Sequence, residues 1–338
     1  MACKMLFFDY REPEKNFFAK HDFSSYDIKF FKESLNEQTL ERLSEDEIQN
    51  TMIISVFTTS TINDEVISRF KNLRVIAARS SGYDHIDLGS CVDKNIALIN
   101  VDSYGDSAVA QFTFMLILML VRRIELIIGE GKNADFENAG ITGRNLNALT
   151  IGVVGTGVIG SAVCRGACCF GMKILAYDMR HNNELVSEFG VQYVELDALL
   201  KNSDIVTVHV PYTKDNYHMF SSEEFGMMKQ DSYFVNVSRG ELVDTNSLLE
   251  FAKSGKFKGI GLDVIACHTD CNPENNLEKT SVKCIETSQA AAELSGLPNV
   301  IITPHIAYDT QEAIDFILQA TFNGLADFLT GGRKYRVV

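Results

Sequence analysis

No stretch of this chain is apolar for long enough to cross a bilayer. The longest such run is Phe112 to Val121, ten residues with Thr113 inside it, where a spanning helix needs about twenty. The opening residues, MACKMLFFDY, lack the apolar core of a secretory signal. There is no Cys-x-x-Cys pair, and the eight cysteines do not fall at the spacing of a disulfide framework. We therefore expect a reducing, cytoplasmic setting. Cys267, His268, Cys271 and Cys284 form a loose cluster that reads as loop residues, so no metal site is expected. Positive charge is also scarce. A formal net charge of −14 argues against nucleic acid and anionic membrane as partners. It leaves small anionic ligands open, because they feel the local field of a site. No repeat at a solenoid period is visible.

What is present is an ordinary globular composition, 46% hydrophobic and 22% charged, in 338 residues. That length exceeds one comfortable core and predicts two domains. Short runs rich in Ile, Val and Phe alternate with helical patterns. Lys4–Asp9, Asp27–Phe31, Met52–Phe57, Leu73–Ala78 and Ile96–Val101 read as strands. Pro13–Lys20, a polar stretch from about Glu37 to Glu47, and Asn63–Phe70 read as helices. A long helix is expected over 106–129, apolar nearly all round and hence buried between domains or subunits. Further strands follow at Asp204–Val210, Tyr233–Val237, Gly259–Val264 and Val300–Thr303, with a closing helix over Thr310–Leu329. Residues 265–297 read as a polar, irregular excursion. The pattern predicts an α/β fold of two doubly wound parallel-sheet domains with a cleft between them. We divide the chain into 1–102 with 305–338, and 103–304.

One stretch organises the rest. In LTIGVVGTGVIGSAVCRGACCFGMKILAYD, a strand leads into Gly155, Gly157 and Gly160, then a helix, a second strand and Asp178. This is the dinucleotide-binding fingerprint in its required context. Gly155 permits the tight turn, Gly157 lets a pyrophosphate approach the backbone, and Gly160 allows close packing. Asp178 is placed to accept hydrogen bonds from an adenosine ribose and to repel a 2′-phosphate, so NAD is expected over NADP.

Hydride transfer to a keto acid needs a cation for the carboxylate, a polarising donor, a proton donor and a dry site. Arg239, in NVSRGELVD, follows a predicted strand directly and can present a bidentate fork. His305, in ITPHIAYDT, also follows a strand and is a natural proton donor near neutral pH. His209 reads as a strand-end histidine with a satisfied partner.

These motifs resemble those of the D-isomer-specific 2-hydroxyacid dehydrogenases, the fermentative D-lactate dehydrogenases above all. The resembling segments are RSSGYDHIDL (79–88), VDSYGDSAVAQF (101–112), GVVGTGVIG (152–160), DNYHMF (215–220), NVSRGELVD (236–244), GLDV (261–264) and TPHIAYDT (303–310). The resemblance implies a flavodoxin-like substrate domain from the first and last segments and a Rossmann NAD domain from the middle. It implies a homodimer formed through the helix at 106–129. Arg239 would bind the substrate and His305 would protonate the new hydroxyl. Backbone N–H groups near Ser81 and Gly82 would hold the carboxylate, and Tyr104 would line the pocket. Val158, Ile159, Asp178, Val210, Pro211, Asn216, Val237, Ser238 and Asp263 would join the glycines in contacting NAD.

The sequence departs from that pattern at one telling place. A Glu usually stands five residues after the Asp of GLDV, paired with the catalytic histidine. His268 occupies that position here, with Ala266 nearby and Gln111 replacing another usual Glu. Asp270 or Glu274 are candidate substitutes. The implied activity is reduction of a small 2-keto acid, pyruvate first, to the D-hydroxy acid. Which keto acid fits depends on pocket side chains such as Phe57 and Tyr308. The alternative is an NAD-binding protein of the same fold with weak or no catalysis, such as a redox sensor or corepressor-like partner.

Overall fold

The computed structural model describes residues 2–101, 105–132, 141–266 and 282–338. The chain divides into two compact units, Met1–Tyr104 with Asp309–Val338, and Gly105–Tyr308.

The first unit holds five strands: β1 (Cys3–Phe7), β2 (Tyr26–Phe30), β3 (Ile53–Val56), β4 (Val75–Ala78) and β5 (Ala97–Ile99). They pair in parallel in the order β2-β1-β3-β4-β5. Side chains alternate across a strand, and the two faces accordingly enter different cores. Leu6, Ile54, Ile76 and Leu98 pack with Val66 and Ile67 of the helix Asp64–Arg69. Met5, Phe7, Ile53, Val75 and Ile99 pack against Ile314, Leu318 and Phe322 of the helix Gln311–Leu329. Thr310 caps that closing helix by accepting from the Ala313 N–H at 3.2 Å.

The polar stretch expected as one helix is two, Glu37–Leu40 and Glu45–Asn50. Ser44 starts the second: its N–H donates to Glu47 Oε2 at 2.7 Å, and its hydroxyl accepts from the Glu47 N–H. A reciprocal box of this kind belongs to a helix start and is incompatible with a helix interior.

The second unit holds β6 (Thr150–Val154), β7 (Lys173–Tyr177), β8 (Gln192–Tyr193), β9 (Ile205–Val208), β10 (Ser232–Asn236), β11 (Phe257–Leu262) and β12 (Val300–Ile302). All are parallel, in the order β12-β11-β10-β9-β6-β7-β8. The order reverses between β6 and β9, the switch point where open α/β sheets bind ligands.

Two expectations are corrected in this unit. The long helix breaks at Arg123, whose φ is 55° and whose N–H returns to the Leu120 carbonyl. This left-handed C-cap separates Asp106–Arg122 from Ile124–Lys132. Within the single chain the first of these buries Leu116, Ile117 and Leu120 and leaves Met115 and Leu118 39% and 37% exposed. Residues 265–297 are not irregular throughout, because Val282–Ser295 is a helix. Among the described residues no helix is long and apolar enough to cross a membrane.

Candidate active site

The glycine motif folds as a cradle at the switch point. Gly155 has φ +92°, a conformation that side chains disfavour. A Cβ on Gly160 would sit 1.9 Å from the Gly155 carbonyl oxygen. Here the close approach is of the loop backbone to its own helix, which residue 160 admits only as glycine, whereas a Cβ on Gly155 would strike His209 and Val210 at 2.8 Å. A Cβ on Gly157 would meet nothing within 4 Å, and no side chain caps the start of the helix Val158–Cys169. The first N–H groups of that helix are thus left to an anion from outside. This is the room and polarity a pyrophosphate needs, and the residues present fit a dinucleotide.

Asp178 follows β7 beside the cradle. Its Oδ2 accepts from the Thr156 N–H at 2.6 Å and the Thr156 hydroxyl at 3.2 Å, and its Oδ1 from the Arg180 N–H at 2.9 Å. Burial pushes its pKa up, but the bonds from Arg180 and Thr156 outweigh that and hold the carboxyl below the ordinary range. Tyr193 extends the network. Its hydroxyl lies 2.9 Å from Thr156 Oγ1 and accepts from the Asn182 N–H at 3.0 Å, and His181 stacks on its ring. Sequence reasoning missed Thr156 and Tyr193, although the Thr between the first two glycines was in plain view.

The carboxyl ends of β9 to β12 carry the remaining candidates. Val210 and Pro211 follow β9, and a Cβ on Gly155 would touch the Val210 N at 2.8 Å. Asn216 holds this loop together: its Nδ2 donates to the Pro211 carbonyl at 2.8 Å and its Oδ1 accepts from the Thr213 N–H. His209, half-buried, lies 2.9 Å from Thr207 Oγ1 through Nε2, the satisfied partner expected. Burial pushes its pKa down to about 3.

After β10 comes the turn Val237–Gly240 that bears Arg239. Asn236, fully buried, wraps it: Oδ1 accepts from the Ser238 N–H at 3.0 Å and Nδ2 donates to the Arg239 carbonyl at 2.8 Å. The Ser238 hydroxyl donates to the Val210 carbonyl, tying this turn to its neighbour. A Cβ on Gly240 would sit 2.1 Å from the Ala266 nitrogen, so residues 265–266 lie directly against the Arg239 turn. Arg239 is half-buried, and its Nη1 donates to the Ser238 carbonyl at 2.9 Å.

After β12 comes the turn that bears His305, an exposed residue with φ 55°. Asp263, at the end of β11 and 1% exposed, holds it in place. Its Oδ1 accepts from the Thr303 hydroxyl at 2.6 Å and the Ile306 N–H at 3.0 Å, and its Oδ2 from the Ala307 N–H at 2.8 Å. Asp263 was expected as a cofactor contact, and its grip on the His305 turn was not foreseen. One strand separates β10 from β12, so their ends lie about 10 Å apart at ordinary strand spacing.

Ser81 and Gly82 stand in the first unit, just past β4. The Ser80 hydroxyl donates to the Gly82 carbonyl at 2.6 Å, the Ser81 hydroxyl to the Val101 carbonyl at 3.0 Å, and Asn100 Nδ2 to the Ser81 carbonyl at 3.0 Å. These three bonds shape the turn through its carbonyls and hydroxyls. Tyr104, His268, Asp270, Glu274 and the Cys267–Cys271–Cys284 cluster lie outside the described residues or side chains. Among the described residues no group of His, Cys, Asp and Glu is arranged to hold a metal.

The family described as D-isomer specific 2-hydroxyacid dehydrogenase, NAD binding domain, matches residues 114–307. The chain belongs to the D-isomer-specific 2-hydroxyacid dehydrogenase family. A D-specific alpha-keto acid dehydrogenase of Enterococcus faecium is 38% identical over 282 residues, 81% of this chain and 82% of that protein. An aromatic 2-oxoacid reductase of Clostridium sporogenes is 34% identical over 278 residues, again 81% and 82% of the two chains. The crystal structure of D-lactate dehydrogenase from Aquifex aeolicus, complexed with NAD and lactic acid, matches at a TM-score of 0.85 and 34% identity over 99% of each chain. This protein is accordingly an NAD-dependent D-2-hydroxyacid dehydrogenase, and the non-catalytic alternative is set aside.

Proposed function

We propose that this dehydrogenase reduces a small 2-keto acid, pyruvate foremost, to the D-2-hydroxy acid. The observation that carries the reading is the alignment of Arg239 and His305 on the turns after β10 and β12. These turns lie on the same carboxyl edge as the glycine cradle after β6. NADH held in that cradle would supply the hydride and leave as NAD+. Arg239 grips the substrate carboxylate and polarises the carbonyl, a task suited to a planar fork whose turn Asn236 holds still. The N–H groups of Ser81 and Gly82 add donors for the carboxylate. His305 hands its proton to the carbonyl oxygen as the hydroxyl forms. Val158, Ile159, Val210, Pro211, Asn216, Val237 and Ser238 line the dinucleotide, with Asp178 at the ribose.

Two further points belong to the reading. With His268 where relatives carry Glu, His305 relies on another carboxylate, Asp270 or Glu274, or works alone. The protein is a cytoplasmic homodimer joined through 106–129. That region presents a groove of about 940 Å³ lined by Phe114, Met115, Leu118, Ile127 and Phe170, more apolar surface than a lone domain normally leaves to water. NADH oxidation followed at 340 nm across a panel of keto acids tests the activity, and light scattering tests the dimer. Turnover confined to dicarboxylic or aromatic keto acids would overturn the choice of pyruvate.

A further inference from the structure

The first unit contains a buried polar seam that joins three strand ends and that the mechanism has not used. Asp9, two residues past β1, is 7% exposed and has φ 56°. Its carboxylate accepts three hydrogen bonds, all from the turn after β3: from the Phe57 N–H at 2.8 Å, the Thr59 hydroxyl at 2.7 Å and the Ser60 hydroxyl at 2.7 Å. The seam continues through Arg79 at the end of β4, which is fully buried. Its guanidinium donates to Ser55 Oγ at 2.9 Å and to the carbonyls of Phe8 at 2.7 Å and Asp9 at 3.2 Å, and lies 3.8 Å over the Phe7 ring.

We propose that Asp9 is a positioning residue that sets this enzyme's preference among keto acids by fixing Phe57 and the turn 57–60. The inference rests on the reading that Phe57 lines the substrate's side-chain pocket. Phe57 is the one apolar side chain the turn buries; Thr59 is exposed and Thr58 half-buried. Phe57 and Ser60 are buried, Ser60 also accepts from the Leu35 N–H at 2.8 Å, and the three donors that the turn sends to the Asp9 carboxylate fix its backbone and side chains together. Asp9 occupies the left-handed region, which a non-glycine residue keeps only where its surroundings over-determine it. Arg79 supplies that constraint by binding the Asp9 carbonyl while its own backbone N–H donates to the Val56 carbonyl at 2.8 Å. The carboxyl edge of a parallel sheet is where substrate arrives, so a clamp there acts on pocket shape.

The test measures kcat/KM for phenylpyruvate and for pyruvate, with NADH, in wild type, Asp9→Asn, Thr59→Val and Phe57→Leu. An amide at position 9 can no longer accept from both sides of the turn. We expect Asp9→Asn to raise the phenylpyruvate-to-pyruvate ratio about tenfold, the scale of a reshaped apolar pocket. The change should enter through KM for pyruvate, with NADH affinity unchanged. Thr59→Val removes a single bond at an exposed position and should move the ratio the same way by about two- to threefold. It carries the test if Asp9→Asn does not fold. A purely structural role would instead lower the Tm and scale both keto acids together, and that result overturns the inference. If Phe57→Leu shifts the ratio while the other two variants leave it unmoved, Asp9 is not the positioning residue and the pocket reading stands. If Phe57→Leu also leaves the ratio unmoved, the pocket reading fails and the inference fails with it.

Discussion

The carboxylate of Asp263 accepts the Ala307 N–H at 2.8 Å, and through this bond and those from Thr303 and Ile306 it holds the turn that carries His305. His305 itself is exposed, and the backbone that follows it is held by Asp263. Asp263→Asn would turn an amide toward donors and leave at least one buried N–H without an acceptor, at a cost of about 1–3 kcal/mol. We expect kcat for keto-acid reduction to fall at least tenfold, with dinucleotide affinity changing much less. Equal losses in both would place Asp263 at the cofactor instead.

We propose that Asp178 governs the choice of dinucleotide. Its ionised carboxyl, held by Thr156 and Arg180, would meet the 2′-phosphate of NADPH in a half-buried site. NADH should be strongly preferred, and Asp178→Ala should narrow the preference, mainly through weaker NADH binding. Equal use of both cofactors by the wild type would contradict this.

His209 makes stability depend on pH. Burial pushes its pKa down to about 3, whereas the unfolded chain takes up that proton below about 6.5. Between those values the unfolded state binds more protons, so stability rises with pH across the window and is lost on acidification. One group contributes a slope of at most about 1.4 kcal/mol per pH unit. Between pH 6.5 and 5, before most carboxylates titrate, the Tm of the wild type should fall more steeply than that of His209→Gln. Parallel curves would show that the folded protein accommodates the charge.

His268 offers a test of proton donation. In the proposed mechanism reduction consumes the proton on His305, and a neighbouring carboxylate would keep the imidazolium to higher pH. The wild-type kcat/KM for reduction should therefore fall as pH rises through the histidine range, and His268→Glu should move that limb upward. Superimposed profiles with full activity well above neutrality would mean that another carboxylate already serves His305.

Much of this architecture was legible because it is written in local pattern. The strand, glycine turn, helix and acid of 149–178 carry their own geometry, and the short Val/Ile runs predict strands wherever both sheet faces are covered. What escaped was set by contacts between distant residues. Arg123 breaks a helix whose composition runs on, because a left-handed C-cap at an arginine has no compositional mark. The capping box of Ser44 and Glu47 was visible but lost within a uniformly polar stretch. Arg239 and His305 could be singled out as strand-end residues, whereas their supports could not. Asn236 looks like any strand residue until its side chain is seen around the Arg239 turn, and Asp263 grips residues forty positions away. Asp9 likewise shows its role only through a turn fifty positions on.

We propose that this chain uses NADH to make a D-2-hydroxy acid with Arg239 as the substrate's grip. It is tested most directly by incubating wild type and Arg239→Lys with pyruvate and NADH, following absorbance at 340 nm, and resolving the lactate formed by chirality. The wild type should form D-lactate alone. Arg239→Lys, which keeps the charge and loses the fork, should lose about a hundredfold in kcat/KM, equivalent to about 2–3 kcal/mol of transition-state stabilisation. L-lactate from the wild type, or an Arg239→Lys enzyme as active as the wild type, would contradict the proposal.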